Sequence, residues 1–410
     1  MKILVVNAGS SSLKYQLFDM ETKNVLAKGN CERIGIDGKL VHTKIGQEKY
    51  IEMVEMKNHS EATRQVMRML LDKDQGVISS VSEISAIGHR VVQGGPYFSK
   101  SVLVDDTVIE DLEKCIDLAP LHTKPHLMGI AGCKDAMPDT PQVLVFDTAF
   151  HQTMPEEAYF YPIPYELYKK YQIRRYGFHG TSHRYVSKLA IDFLGLDPNN
   201  SKIITCHLGN GSSISAIKNG KVIDTSMGFT PLEGIEMGTR CGSMDPAIVT
   251  FIMEKEGYSP KEMSDFMNKQ CGILGVSEVS SDLRDIEKAL EEKNPKAELA
   301  CKILAYGIKK YIGSYTAAMN GLDAIVFTAG VGENTPIVRL WAMENLEFFG
   351  VKIDPAKNEV THHLPTNEFI SAPDSRVKVI VVPTNEELVI AEDTQDVVAN
   401  NIRYERKFFN

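Results

Sequence analysis

A strand–turn–strand unit with a glycine- and serine-rich turn occurs twice, and this repetition constrains the fold more than any other feature. In the first copy the apolar run Ile3-Leu4-Val5-Val6 leads into Asn7-Ala8-Gly9-Ser10-Ser11-Ser12. Leu13, Tyr15 and Leu17 then alternate with Lys14 and Gln16, the period of a half-buried strand. In the second copy Ile203-Ile204-Thr205-Cys206 leads into His207-Leu208-Gly209-Asn210-Gly211-Ser212-Ser213. Strand character continues from Ile214 through Val222 to Asp224, around Asn219-Gly220, a hairpin signal. Matching flanks imply an internal duplication, with each half offering one anion-binding turn to a shared cleft. A third apolar run, Ala324 to Phe327, ends in the glycine turn Gly330-Val331-Gly332-Glu333-Asn334. Strand-like and helix-like stretches alternate along the remaining chain, which predicts α/β architecture.

A chain of 410 residues exceeds one ordinary core, so two domains are expected. With 43 % hydrophobic and 24 % charged residues it has the composition of a globular protein. The net charge of −9 argues against a general nucleic-acid binder and makes individual arginines near turns the places to look for anion recognition. The seven cysteines are odd in number and contain no C-x-x-C pair, which fits free thiols in a reducing compartment. The first apolar run is shorter than a signal-peptide core, and no run approaches a membrane span, so a cytoplasmic protein without membrane contact is expected.

Helix starts are read from capping residues. Ser60 is expected to cap a helix carrying Ala62, Val66, Met69 and Leu70 on one face. Thr181 or Ser182 is expected to cap one running to about Leu194. Thr335 before Pro336 predicts a start directly after the third glycine turn. Thr384-Asn385-Glu386-Glu387 follows the strand Val377 to Val382 and has capping-box spacing. That spacing gives Glu387 a structural task and leaves Glu386 to orient Mg²⁺, directly or through water.

Neither G-x-x-x-x-G-K-[ST] nor G-x-G-x-x-G is present. Phosphate binding would then rest on turn N–H groups and short hydroxyls. Asn7, Ser10, Ser12 and Lys14 supply such donors and one cation at a strand end, with Gly9 allowing close approach. Arg90 lies beside the Gly94-Gly95 turn, and Arg240 is the central cation of a loop with Pro231, Gly234, Gly238, Gly242 and Asp245. Each offers a planar fork for carboxylate or phosphate. Asp147 ends the run Val143 to Phe146, where strand-end carboxylates do catalytic or metal work. His122 and His126, like His179 and His183, have i, i+4 spacing. Neither pair carries the glutamate of a zinc-protease motif. Prolines near His122, and Gly180, argue against helical zinc pairs, so a single histidine stabilising developing charge is favoured over a zinc hydrolase.

Asn7 to Lys14 and Gly177-Phe178-His179-Gly180-Thr181-Ser182-His183 resemble the two signature segments of the acetate kinases. The resemblance continues in order through His207 to Ser212, Gly238 to Pro246, Ser281 to Arg284, Gly330 to Asn334 and Pro383 to Glu387, nearly the whole chain. It implies the acetate and sugar kinase, heat-shock chaperone and actin superfamily: two duplicated ribonuclease-H-like domains with ATP in the cleft, and a homodimer. Residues 1–149 would form the first domain, completed by a C-terminal helix at about 385–410. Residues 150–384 would form the second, carrying most of the nucleotide site.

By the same resemblance Asn7 and Glu386 are the magnesium-associated pair, with Mn²⁺ as a substitute. Arg90 and Arg240 bind the acetate carboxylate and the moving phosphoryl group. Asp147 and His179 are catalytic, with His179 and Arg240 stabilising the transition state. His122 and His207 are supporting donors. His207, Leu208, Gly209, Asn210, Gly211, Asp282, Leu283, Arg284, Gly330, Val331, Gly332, Glu333 and Asn334 form the ATP site, together with Ser10, Ser12 and Lys14 on phosphate. Val92, Leu121, Phe178 and Pro231 surround the acetate methyl. Gln93, Pro96 and Ser243 depart from the family pattern, where a histidine, a polar residue and an aspartate are usual; the last concerns how Arg240 is oriented.

The implied reaction is reversible phosphoryl transfer between ATP and acetate, giving ADP and acetyl phosphate by direct in-line attack of the carboxylate. The readings set against it are a propionate or butyrate kinase, and a chaperone- or actin-like ATP switch without an acceptor.

Overall fold

The apolar run at the N-terminus becomes a strand buried on both faces. In the computed structural model, which describes residues 1–406, Leu4 and Val6 pack with Ala62, Val66, Met69 and Leu70 of the helix His59–Leu70. Ile3 and Val5 pack on the opposite side with Ile390, Ala391 and Val397 of the helix Glu386–Ala399. Successive side chains of a strand point to opposite faces, so a continuous apolar run needs a helix layer on each side.

The described chain forms two compact units, Met1–Phe150 with the stretch from Asn385 onward, and His151–Thr384. The first holds β1 (Lys2–Gly9), β2 (Ser12–Asp19), β3 (Asn24–Glu32), β4 (Lys39–Lys44), β5 (Tyr50–Met53), β6 (Ile84–Val91), β7 (Val102–Leu103) and β8 (Gln142–Phe146), in spatial order β5-β4-β3-β2-β1-β6-β8-β7. The second holds β9 (Lys202–Leu208), β10 (Ser212–Lys218), β11 (Lys221–Thr225), β12 (Ala324–Thr328), β13 (Glu368–Phe369) and β14 (Lys378–Val381), in order β11-β10-β9-β12-β14-β13.

The two central five-strand sets correspond. β3-β2-β1 are antiparallel and β1-β6-β8 parallel. β11-β10-β9 are antiparallel and β9-β12-β14 parallel. The duplication expected from the two hairpins is therefore a duplication of topology, and both units are the α/β type of the actin-like ATPases. In the second unit Ile204, Cys206 and Leu208 pack against Ala300, Leu304 and Ile308 of the helix Pro295–Met319, while Ile203 meets Val186 and Ala190 on the other face. Among the described residues no helix is long and apolar enough to cross a membrane.

The capping assignments are corrected in three places. The helix His59–Leu70 is capped by Asn58, whose side chain accepts from the Glu61 N–H at 3.0 Å, and Ser60 bonds Asp135 instead. The helix Gly180–Leu194 has His179 at its N-cap, in the left-handed region at φ 57°, with no side-chain cap bond. Ser182 is spent on His207 and Thr384. The C-terminal helix is capped by Asn385, which accepts from the Leu388 N–H at 3.1 Å, so the Thr384–Glu387 capping box does not form. The first two helices start two or three positions before the expected cap, on a residue with extended or left-handed backbone, and the C-terminal helix starts one position after it. Thr335 does precede the helix Pro336–Met343, but its side chain makes no cap bond. The segment Gly330–Asn334 is not an open turn: it belongs to a helical turn, Ala329–Asn334.

Gly88 of β6 marks the tightest approach of the C-terminal helix. A Cβ there would stand 2.3 Å from Thr394 Oγ1 and 2.9 Å from Ile390 Cγ2. Gly88→Ala is expected to destabilise the first unit by about 1–3 kcal/mol. Urea unfolding checks this; an unchanged midpoint would mean that the helix is not seated as described.

Candidate active site

In the first unit, β1 and β2 pair from Lys2↔Asp19 to Gly9↔Ser12, leaving Ser10 and Ser11 as an exposed two-residue turn. His59 Nε2 lies 2.8 Å from the Gly9 carbonyl, which fixes the turn from behind. Asn7 stands opposite Lys14 in the register. Asn7, Lys14 and Glu387 line a cavity of about 220 Å³.

Arg90, near the end of β6, and Asp147, one residue past β8, meet because these strands are parallel neighbours. The Asp147 N–H donates to Val91 O at 2.9 Å, which sets the carboxylate at the strand ends. Arg90 Nε donates to Asp147 Oδ1 at 3.1 Å and Nη2 to Oδ2 at 2.8 Å, a bidentate pair with Asp147 buried. Asp147 holds the Arg90 guanidinium well above its ordinary pKa.

Glu386, the first residue of the C-terminal helix, adjoins this pair electrostatically. Burial pushes its carboxyl up to about 7; Arg90 opposes the shift, and Asp147 and Glu387 add to it. Its Oε2 is buried without a hydrogen-bond partner. One guanidinium thus stands among three carboxyls, an arrangement that a cation would complete. No three His, Cys, Asp or Glu side chains among the described residues converge as a metal cage. A Mg²⁺ held by one or two carboxylates and otherwise by water needs none, so the buried, unpartnered carboxyl oxygen of Glu386 fits that ion, and Asn7 lines a cavity with the adjacent Glu387.

Val92 is half-buried and donates its N–H to His126 Nε2 at 3.2 Å. His122 stacks on His126, centroids 6.4 Å apart, in the first turns of the helix Pro120–Ala136. The prolines therefore do not break this helix as the sequence suggested: Pro120 starts it and Pro125 is accommodated within it. Leu121 is 77 % exposed. Gln93 is buried and accepts from the Gly95 N–H at 2.9 Å, while Pro96 is half-buried beside that turn.

In the second unit the turn Gly209-Asn210-Gly211 joins β9 to β10. Gly238 presses against it: its N–H donates to Asn210 O at 3.2 Å, and a Cβ there would lie 2.1 Å from Asn210 Oδ1. That approach delivers Arg240. A Cβ on Gly211 would stand 3.2 Å from Arg240 Nη1 and 3.6 Å from His179 Nε2, so loop, guanidinium and imidazole share one small volume. Arg240 Nη1 donates to Pro231 O at 3.1 Å. Among the described residues no carboxylate pairs with it, and burial lowers its pKa. Ser243 does not orient it; its hydroxyl accepts from the Gly234 N–H at 3.1 Å and its own N–H returns to Gly234 O.

His179 is held from two sides. Its Nδ1 meets Ser213 Oγ at 2.9 Å, and its ring stacks on His207 with centroids 4.1 Å apart. The same Ser213 hydroxyl meets His183 Nε2 at 2.7 Å, and His183 Nδ1 meets Thr205 Oγ1 at 2.7 Å. Burial holds His183 well below its ordinary pKa, which favours its neutral form. His207 Nδ1 is satisfied by Ser182 Oγ at 2.8 Å. Phe178 is buried, with its carbonyl on His151 Nε2 at 2.9 Å.

The remaining nucleotide-site candidates divide. Leu208 is buried at the end of β9, and Leu283 is buried in the helix Leu283–Glu291. Asp282 caps that helix and pairs with exposed Arg284 at 2.5 Å, which draws its carboxyl down to about 2. Gly330 is exposed, Val331 half-buried and Gly332 buried. Glu333 Oε1 accepts from the Ala329 and Thr384 N–H groups, and Asn334 bonds Gly330 O and the His363 N–H, so both side chains hold the local fold. Sequence reasoning missed Arg339. Fully buried, it donates to the carbonyls of Gly332, Glu333, Asn358 and Thr361 and so clamps this helical turn. Its signal was a single charge in the apolar run from Ile337 to Met343.

The profile of the acetokinase family matches residues 2–392. The chain belongs to that family. It is 60 % identical to the acetate kinase of Caldanaerobacter subterraneus over 97 % of this chain and 99 % of that one. It is 58 % identical to that of Thermoanaerobacter pseudethanolicus at the same coverage. The crystal structure of Porphyromonas gingivalis acetate kinase superposes with TM-score 0.94 at 48 % identity, covering 97 % of this chain and 99 % of that one. A propionate kinase from Francisella tularensis superposes with TM-score 0.88 at 41 % identity, covering 96 % and 99 %.

Arg339→Met would strand five acceptors, the four carbonyls and Asn358 Oδ1. It is expected to lower the stability of the second unit by at least about 3 kcal/mol, at roughly 1–3 kcal/mol for each unsatisfied group. Urea unfolding measures it, and a smaller loss would show that the clamp is dispensable.

Proposed function

We propose that this acetokinase-family chain transfers the γ-phosphoryl group of ATP reversibly to acetate, giving acetyl phosphate and ADP. The observation that carries the reading is Arg240: a half-buried guanidinium without an anionic partner among the described residues, beside Gly211 and His179 Nε2. A desolvated cation of this kind is a receptor for a migrating anion.

Acetate brings its own nucleophilic oxygen, so no strong base is needed. The difficulty is the approach of two anions. Arg90, aimed by Asp147, neutralises and orients the carboxylate, with Val92, Leu121, Phe178 and Pro231 around the methyl. Arg240 and His179 stabilise charge on the phosphoryl oxygens in line with the attack. The turn His207 to Gly211, with Asp282–Arg284 and Gly330–Asn334, holds the nucleotide; Ser10, Ser12 and Lys14 add phosphate contacts, and His122 supports the acetate side. Mg²⁺, or Mn²⁺ in its place, would be held through Asn7 and Glu386 and would supply neutralisation of phosphate charge when bound.

The acceptor is proposed to be acetate rather than propionate or butyrate, although one methylene changes binding by only about 1–3 kcal/mol. Incubation with MgATP and each acid, followed by hydroxylamine trapping of acyl phosphate, tests the assignment. The most hydroxamate is expected from acetate. Larger yields from propionate or butyrate would move the assignment to a longer-chain kinase. ATP hydrolysis without hydroxamate would leave an actin-like switch.

We also propose a homodimer in the cytoplasm. The helix Pro246–Glu256 has no buried side chain and presents Ile248 and Phe251 to solvent, an apolar face suited to a second copy. All seven cysteines are free thiols, in keeping with a reducing compartment. Sedimentation velocity is expected to give twice the chain mass.

Arg240→Ala is expected to lower kcat by about 10³-fold or more; activity within a few-fold of wild type would remove Arg240 from the mechanism. Glu386 gives a pH prediction. Its folded pKa lies above its unfolded value, so its favourable contribution is full below about 4.5 and is lost as pH rises through about 7. In chelator, Glu386→Gln should therefore be more stable than wild type at pH 8, by about 1–3 kcal/mol, and equal to it at pH 4, while losing turnover. Equal stability at both pH values in urea unfolding would contradict the burial of this charge.

A further inference from the structure

Glu236 is the buried carboxyl that the proposed reaction does not use. It is 7 % exposed, and neither Oε1 nor Oε2 has a hydrogen-bond partner. It lines a cavity of about 370 Å³ with Ile235, Ser243, Tyr306, Gly307 and Tyr311. That volume is in the range of small-molecule sites, roughly 300–1,000 Å³. Ile303 and Tyr306, both exposed, stand at the mouth. Arg240 is not among the lining residues, although the loop that carries it forms one wall.

The lining defines a chemistry. Two tyrosine rings and an isoleucine offer an apolar, π-rich body, and the carboxyl stands among them. Such a site recognises a positively charged nitrogen carried on an apolar group. Lys310 also lines the cavity, but it is exposed, holds its Nζ 5.7 Å from the Tyr306 ring centroid and makes no ion pair with Glu236 among the described residues, so the carboxyl is left without a cation. Burial raises the Glu236 carboxyl to about 8, so near neutral pH it gains its charge when a cation arrives.

We propose that this cavity is a second binding site, for a small organic ammonium ion whose nitrogen pairs with Glu236 and whose apolar part lies between Tyr306 and Tyr311. No covalent step is involved. The site uses none of the residues proposed for phosphoryl transfer, so it stands whichever acid the chain phosphorylates.

The probes are benzylammonium and its neutral counterpart benzyl alcohol, titrated calorimetrically into the full chain at pH 8. Benzylammonium is expected to bind at least tenfold more tightly than the alcohol. Glu236→Gln should lose at least tenfold in affinity for benzylammonium and leave the alcohol unchanged. Gly307→Leu keeps the carboxyl but intrudes on the cavity, and should weaken both; a Cβ at Gly307 meets only Ile235, at 3.5 Å, an ordinary van der Waals contact. Acetyl phosphate formation by each variant verifies its fold. Equal binding of the two probes, no binding of either, or an ammonium preference that survives Glu236→Gln would overturn the proposal. So would dissociation of a dimer by Glu236→Gln in sedimentation, which would assign the cavity to a second copy of the chain.

Discussion

The bidentate pair of Arg90 and Asp147 is the interaction around which the polar interior of the first unit is organised. Asp147 is buried, and a buried carboxylate left alone would cost several kcal/mol. The parallel pairing of β6 and β8 brings Arg90 to it with both oxygens engaged. That arrangement fixes the guanidinium in one plane, so an incoming carboxylate would meet a preset fork rather than a mobile side chain. It also leaves Glu386 with one cation among its electrostatic neighbours, Arg90, set against Asp147 and Glu387. Burial is the main reason that the Glu386 carboxyl is raised to about 7, with Asp147 and Glu387 adding to it, and its Oε2 has no hydrogen-bond partner among the described residues.

The second unit solves the opposite problem. Its arginine is kept without an anionic partner, and its imidazole is kept rigid. Among the described residues Arg240 is anchored through a carbonyl and a thioether, the latter Met237 Sδ at 3.7 Å. His179 is fixed by stacking and by Ser213, whose hydroxyl is itself held by neutral His183. Preorganised donors of this kind need little reorganisation when charge develops in front of them. In the proposed reaction the committed arginine belongs to the acceptor and the uncommitted one to the migrating group.

The hairpins and central strands were legible because they are written in local signals: apolar runs, period-two alternation and glycine turns. Asn219 at φ 54° and Gly220 at φ 72° form the turn that their dipeptide predicts. The helix starts were less legible, because several residues near each start can cap and the backbone conformation decides among them. Asn58 and Asn385 win over Ser60 and Thr384 because their backbones depart from helical geometry where the helix begins, at ψ 178° and ψ 77°. Ser182 loses its capping role to a long-range bond with His207, which no local pattern records. For the site, motif order brought these segments to notice but not the structural work of each side chain. Glu333 and Asn334 look like ligand contacts in sequence, and in the fold they bond backbone. Arg339, His183 and Ser213 act through partners far away in the chain and had no local signature beyond a charge or hydroxyl in an apolar setting.

The central claim is that two differently prepared arginines let an acid attack ATP directly, with Glu386 left to a cation rather than acting as nucleophile. Transfer from ATP made chiral at the γ-phosphorus by oxygen isotopes tests it. A single in-line displacement predicts inversion of configuration in acetyl phosphate. Retention would require two displacements through a phosphorylated enzyme group and would contradict the account.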